Sequence, residues 1–563
     1  MGVSGLSVHA RQSNIQRMQD ETFDLVIIGG GITGAGVARD AASRGMRVAL
    51  IEANDFAFGT SSRSSKLIHG GIRYLENFEF HLVFEALSER ALLFEIAPTL
   101  VHPLRFVLPL YKGNRVGMFK MGLGMWAYDA LSLFEAPEPH ERLSSQESVE
   151  RLPLLQEKDL QGSYVYSDAY MDDDRLVHET MRSAVRLGAL AVNRVEAVDA
   201  VFDDGKMVEL VCRDRKAAVG DAPRNATFNI KGRHFISTVG PWTDRVGSTL
   251  LKDWKRMLRP SKGVHLTFKR SRFDVNDAIV MAADNDKRIV FGIPRHEMYI
   301  IGTTDTDFTG DPKDVSVTAD DVRYLLKVAD HYFPGAKLTK DDIISCYAGV
   351  RPLVDDGSET ESKTSREHVI VNDARGITFV AGGKYTTYRR MALDAVESTL
   401  DYFTMEERVR FGRSQTAEAL NQNANQEALG RARQQIDRYV RETGLEREHV
   451  ELLVERHAME AESLFKYDPA AAPSKPEGLG SSERLWVMEA KHAIRETMCD
   501  SLVDFYARRV PLFLAEADHG LRFMEYIATA FQEELLWTDV ERTAQCLALK
   551  EYCARELSWR SQV

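Results

Sequence analysis

Apolar residues change their spacing along this chain, and each spacing predicts a different element. FDLVII, residues 23–28, is a short buried-strand run; GGGITGAG, 29–36, follows as a turn, and VARDAASRG, 37–45, continues as a helix. RVALIE, 47–52, is the next strand. Apolar runs return far downstream at HFISTVG, 234–240, and ITFVAGG, 377–383, each ending in glycine as a strand does before a close backbone approach. The domain built on the opening unit is therefore discontinuous. Between its pieces, VHLTF, 264–268, and RIVFGIPRHEMYIIGTTD, 288–305, alternate as strands of an antiparallel sheet that covers a ligand site. GRSQTAEALNQNANQ, 412–426, reads as a polar linker before a helix-rich tail that runs to Val563, and no internal repeat is visible.

Composition narrows this picture. A chain of 563 residues, 44% hydrophobic and 28% charged, is globular and long enough for several cores. A formal charge of -12 leaves no overall basic field for nucleic acid, so any anion site must be local. Cys212, Cys346, Cys499, Cys546 and Cys553 are odd in number and form no CxxC pair, which fits reduced thiols in a reducing, cytosolic compartment. The first twenty residues carry Arg11 and Arg17 without the apolar run of a signal peptide, and Leu6 breaks a myristoylation pattern, so a polar leader is expected. No run of about 18 apolar residues occurs, so membrane contact is expected to be peripheral.

Candidate chemistry begins at the glycine turn. Gly29, Gly31 and Gly34 allow a tight turn, a close pyrophosphate approach and close helix packing at a helix N-terminus. Glu52 ends the second strand, at the distance where a carboxylate accepts from adenosine ribose hydroxyls, and this context favours a dinucleotide site. Thr60, Ser61 and Ser62, followed by SSKLIHGG, form a hydroxyl- and glycine-rich segment suited to line pyrophosphate and flavin, which points to FAD rather than NAD.

GGGITGAGVARDAASRG, TSSRSSKLIHGGIRYLE, STVGPW, IIGTTD, GVRPL and GGKYTTYR occur in the order seen in FAD-dependent glycerol-3-phosphate dehydrogenases, and the chain resembles that family over roughly residues 22 to 400. The tail segment ERLWVMEAKHAIRETMCDSLVDFYARR resembles the family's C-terminal helices, while Thr33 stands where many members carry asparagine. The resemblance implies an α/β fold: a Rossmann-like FAD-binding domain of the amino-acid-oxidase type, an antiparallel-sheet substrate domain and a C-terminal helical domain. The expected bounds are 22–100, 165–260 and 341–400 for the first, 101–164 and 261–340 for the second, and 420–563 for the third.

Noncovalent FAD is expected, although His69 lies where some flavoproteins attach theirs covalently. Besides the glycines and Glu52, the expected FAD contacts are Thr60, Ser61, Ser65, Leu67, Val195, Gly240, Gly383, Lys384 and Thr386. The implied reaction takes sn-glycerol 3-phosphate to dihydroxyacetone phosphate. Arg73 and Tyr74 in HGGIRYLE are implied phosphate-pocket residues; for Arg366 in TSREHV, substrate contact and a solvated surface charge are evenly balanced. His265 in KGVHLTF matches a family histidine near the reacting alcohol, as general base or as a satisfied core histidine. Arg351 in GVRPL is implied to stabilise the developing alkoxide, and Lys384 to offset negative charge on the flavin, with Thr386 and Thr387 starting a helix beside it. Asp305 in GTTD is a second-shell carboxylate or a turn residue.

Family members pass electrons to ubiquinone or menaquinone. That implies a cytoplasmic enzyme held peripherally at the inner face of the cytoplasmic membrane, and a homodimer. RFVLPLYKGNRVGMFKMGLGMWAYDALSLF, 105–134, mixes basic and large apolar residues and reads equally as an interfacial segment or as a helix pair packed in the core or at a subunit contact. The rivals are an oxidase that returns electrons to oxygen, an amino-acid oxidase, and a noncatalytic carrier of the same fold.

Overall fold

Two sheets and a helical bundle carry the chain in a computed structural model that describes residues 4–133, 137–216, 226–283, 288–355, 357, 367–471 and 479–562. The first sheet runs in the order His368–Asp373, Ile377–Gly382, Thr227–Ser237, Thr22–Ile28, Val48–Ile51, Leu190–Val192. Its inner strands are parallel, from Ile377–Gly382 through to Leu190–Val192. A parallel sheet has to be covered on both faces. Leu25 and Ile27 point to one face, where the helices Ile32–Ser43, Asp173–Arg186 and Tyr388–Thr399 pack; Val26 and Ile28 point to the other, against Ile15 and Met18. The expected polar leader thus supplies the helix Arg11–Asp20, with Arg11 buried on Asp214 and the Asn193 carbonyl. Its apolar positions are spaced too sparsely to announce a helix from sequence.

The second sheet has ten strands and mixes antiparallel pairs with one parallel pair. It includes Leu258–Lys269, Met298–Gly302, Ile289–Pro294, Ala278–Ala282, Val101–Tyr111 and Leu160–Met171, with Ile343–Val354 paired to Leu258–Lys269. Leu160–Met171 and Ile343–Val354, assigned largely to the FAD domain by the limits at 165 and 341, both run in the second sheet. Within 105–134, the first part continues the strand Val101–Tyr111 and, among the described residues, only Met118–Leu131 is helical, so the segment is a strand and a helix rather than the helix pair that was one of its two readings.

The tail is a bundle of helices between Gln426 and Glu556 around its own core of Leu453, Trp486, Ile494, Phe505, Phe531 and others. The polar stretch before it is tied down rather than loose. Arg39 donates to the carbonyls of Thr416 and Glu418, and Gly412 N–H to the Arg44 carbonyl.

Candidate functional site

The glycine turn fits the ADP half of a dinucleotide. Gly29 has φ +109°, and a side chain there would stand 2.9 Å from the Thr238 carbonyl oxygen. At Gly34 a Cβ would lie 1.9 Å from the Gly29 carbonyl oxygen, so the helix Ile32–Ser43 starts this close to the strand only with glycine. Gly31 leaves its backbone open, its nearest neighbour being Ser61 Oγ, which accepts from Ile32 N–H at 3.0 Å. Glu52 is held by the N–H groups of Gly30 (2.8 Å) and Asn54 (2.7 Å), and its carbonyl accepts from Val195 N–H. Burial raises the Glu52 carboxyl pKa, partly offset by those two donors. Gly240, at φ +54°, opens onto free space at the end of the neighbouring strand.

A second group of motifs meets at the loop that follows Glu52, joined there by residues more than 300 positions downstream. Thr386 Oγ1 accepts from His69 N–H at 3.2 Å, which joins the GGKYTTYR turn to the SSKLIHGG loop. Lys384 Nζ sits 4.2 Å from the centroid of the buried Tyr74 ring, and Gly383 takes φ +82° just before it. Thr60 Oγ1 donates to the Val350 carbonyl, Leu67 pairs with Tyr170, and Ser65 Oγ lies 2.9 Å from His265 Nε2.

The second sheet presents one face to this loop. Three cross-strand pairs line it: His265 opposite Tyr347, Gly263 opposite Gly349, and Ser261 opposite Arg351. His265 stacks on Tyr347 with ring centroids 4.8 Å apart and planes 11° from parallel. The glycine pair clears the floor between the histidine and the arginine; a Cβ at Gly263 would stand 2.5 Å from Arg351 Nη2. Arg351 is fixed by Asp305 (3.0 Å), Thr303 Oγ1 (2.9 Å) and the Thr304 carbonyl (3.2 Å). Burial, then the charges of Arg351 and Lys66, hold the His265 pKa well below 6.5, so the imidazole is neutral near pH 7. Its Nδ1 has no hydrogen-bond partner among the described residues. The neutral ring carries one N–H and one lone pair, and its contact with Ser65 Oγ at 2.9 Å can run in either direction according to the tautomer.

Those of the expected residues that are described lie in two places, around the glycine turn with Glu52 and around the loop that carries Ser65 and His69. The side chain of Arg73 and the whole of Arg366 lie outside the described residues. Sequence reasoning missed Tyr347, Thr303, Ser261, Lys66 and Asp168. Alternation along CYAGVRPL would have placed Tyr347 on the face of Arg351, four residues on. Nothing local pointed to Asp168, a buried hub that accepts from Gly70 N–H (3.1 Å), Arg90 (2.7 Å) and Tyr128 OH (2.9 Å). Lys66 makes a buried ion pair with Asp173, which also takes the Ser64 hydroxyl at 2.7 Å.

The chain is similar to known flavoproteins over most of its length. Residues 24–389 match the model of the FAD dependent oxidoreductase family, and 424–542 that of the C-terminal domain of alpha-glycerophosphate oxidase. An aerobic glycerol-3-phosphate dehydrogenase of Staphylococcus saprophyticus is 32% identical over 542 residues, 96% of each chain. One from Staphylococcus aureus is 37% identical over 392 residues, 70% of this chain and 69% of that one. Among solved structures, the glycerol-3-phosphate dehydrogenase of Bacillus halodurans complexed with FAD superposes with a TM-score of 0.80 at 28% identity, covering 98% of this chain and 99% of that one. An FAD-bound L-alpha-glycerophosphate oxidase of Mycoplasma pneumoniae shares the fold at TM-score 0.54 and 16% identity, over 71% of this chain and 98% of that one.

Proposed function

The chain belongs to the FAD-dependent oxidoreductases and, within them, to the glycerol-3-phosphate dehydrogenases, and from that premise we propose that it oxidises sn-glycerol 3-phosphate to dihydroxyacetone phosphate and delivers the electrons to a membrane quinone. The observation that carries the chemistry is the pairing of His265 and Arg351 on one sheet face, across from Ser65 and its loop. Bound FAD supplies the acceptor for the hydride from C2 of the substrate. His265 takes the hydroxyl proton as that bond breaks, its neutral ring being ready to accept one. Arg351, immobilised by Asp305 and Thr303, stabilises the charge that develops on the oxygen without having to reorganise. Lys384, seated over Tyr74, places a cation on the flavin side, while Arg73, Tyr74 and Arg366 hold the phosphate. In this reading Gly29, Gly31, Gly34, Glu52, Thr60, Ser61, Ser65, Leu67, Val195, Gly240, Gly383 and Thr386 line the noncovalent FAD. The first sheet forms the cofactor domain, the second the substrate domain.

The quinone assignment draws on a surface. Helix Met118–Leu131 exposes Phe119 (82%), Leu123 (59%) and Trp126 (62%) at i, i+4 and i+7, and Phe78 (78%) and Phe84 (42%) are exposed on the neighbouring segment. Lys112, Arg115 and Lys120 lie in the same stretch, which suits a helix lying in an anionic bilayer interface. The patch adjoins the flavin loop: a Cβ at Gly70 would stand 2.4 Å from both Leu87 and Tyr128, side chains of the two helices beneath it. No helix among the described residues is long and apolar enough to cross a membrane. In this reading a homodimer binds peripherally at the inner face of the cytoplasmic membrane through the exposed apolar patch. Turnover on anionic vesicles loaded with ubiquinone or menaquinone, compared with turnover on oxygen alone, tests the acceptor. Quinone-dependent turnover with little hydrogen peroxide is expected. Equal turnover on oxygen with stoichiometric peroxide would identify an oxidase.

A further inference from the structure

Residues 52–66 connect the carboxylate of the adenosine cradle to the flavin-side loop, and they are gripped at both ends by the C-terminal bundle. Three residues after Glu52, the fully buried Asp55 accepts from Arg508 Nε at 2.8 Å and from both terminal nitrogens of Arg509 at 2.8 and 2.9 Å. Arg509 is fixed in turn by the Thr497 hydroxyl (2.8 Å) and carbonyl (2.9 Å). Arg508 also pairs with Asp504, which reaches Arg194, the residue before Val195, whose N–H meets the Glu52 carbonyl. At the other end, Arg63 donates to the Ala348 carbonyl at 3.1 Å and pairs with Glu556 at 3.3 Å. Behind Glu556 the buried Trp559 donates to Cys346 Sγ at 3.1 Å, which seats the end of the last long helix on the second sheet.

Charges buried this completely are a costly way to join two domains, because desolvation consumes much of what their attraction returns. Apolar contacts would serve adhesion alone. What the paired, hydrogen-bonded arginines give is a single position for the loop between them, since a shift would strand the buried charge of Asp55. We propose that Asp55 and Arg63 are positioning residues through which the C-terminal helical domain holds the cofactor loop in its FAD-binding shape, Asp55 at the adenosine end and Arg63 at the flavin end. The helical domain is thereby part of the cofactor site without touching the cofactor.

The test measures FAD release from diluted holoenzyme by flavin fluorescence, and the affinity of the stripped protein for ADP, which carries the adenosine end alone. Circular dichroism melting checks the fold. Asp55→Asn weakens both FAD and ADP, by about tenfold or more, the scale of one lost charge-assisted contact. Glu556→Gln weakens FAD by several-fold while ADP affinity stays within about twofold of the parent, since only the flavin end is loosened. FAD also raises the melting temperature of Asp55→Asn by less than it raises that of the parent, as linkage requires. A merely structural role would lower the melting temperature and leave the FAD-to-ADP split between the two variants unmoved. FAD affinity within about twofold of the parent in both variants overturns the proposal. Should Asp55→Asn not fold, Glu556→Gln and Arg63→Lys decide it: unchanged FAD release in those two overturns it, and faster release with ADP retained supports it.

Discussion

A single histidine sets the pH response of the proposed reaction. Burial and two nearby cations keep His265 neutral, so the rate of flavin reduction by substrate should stay level through neutral pH and fall only well below 6.5, as the ring takes up a proton. His265→Ala should retain FAD and slow that reduction by about 10²- to 10⁴-fold in anaerobic stopped flow; unaltered kinetics across pH would remove His265 from the chemistry. Gly263→Ala probes Arg351 without replacing it. The new methyl would stand 2.5 Å from Nη2, and displacing a positioned group by about 1 Å costs up to about 100-fold in rate, so flavin reduction should slow with FAD still bound. His265 and Arg351 were legible in sequence because each sits inside a short dense motif. Tyr347 and Thr303 were not, because their parts arise from cross-strand register, and Asp168 and Lys66 draw their partners from more than one distant segment.

At the scale of elements, helix Met118–Leu131 carries the sharpest expectation. Replacing Phe119 and Trp126 together by serine should cut sedimentation with anionic vesicles by about tenfold or more, since two large apolar side chains contribute roughly 3 kcal/mol when buried in an interface. Activity with a soluble artificial acceptor should be unchanged; undiminished vesicle binding would place the membrane face elsewhere. The strands Thr22–Ile28, Val48–Ile51 and Ile377–Gly382 could be read directly, because each is a short apolar run followed by a glycine or an acid at the turn. RFVLPLY could not. It is a central strand with Val107 in one core and Leu104, Phe106 and Leu110 in another, and apolar residues on both faces erase the alternation that separates strand from helix. Leu160–Met171 is likewise buried almost throughout, so its pattern does not say which sheet it joins.

Taken whole, the molecule interleaves its parts. Each sheet collects strands from distant stretches of chain, and the helical bundle grips both through Asp55 and Cys346. This construction buries many charges, with a consequence for acid stability. His102 and His457 are pushed down to about 4 and His265 and His178 well below 6.5, all chiefly by burial, so the unfolded chain takes up protons near pH 6 that the folded chain refuses. Glu489 and Glu460 are held well below the ordinary carboxylate range by Arg456 and Arg182 against the cost of burial, so their stabilising contribution is lost only at lower pH. For these groups both signs agree: the histidines should lower the melting temperature as the pH drops from 7.5 through 6, and Glu489 and Glu460 should lower it further below about 4.5, while the raised Glu52 carboxyl offsets part of that second fall. A melting temperature independent of pH over that range would mean the buried histidines gain compensating partners.

Anaerobic mixing of the flavin-loaded protein with sn-glycerol 3-phosphate, with glycerol and a D-amino acid as controls, tests the proposed substrate. Rapid loss of the oxidised flavin absorbance with the phosphate ester alone is the predicted result. A flavin that stays oxidised with the phosphate ester, or that bleaches equally with a control, would contradict the account.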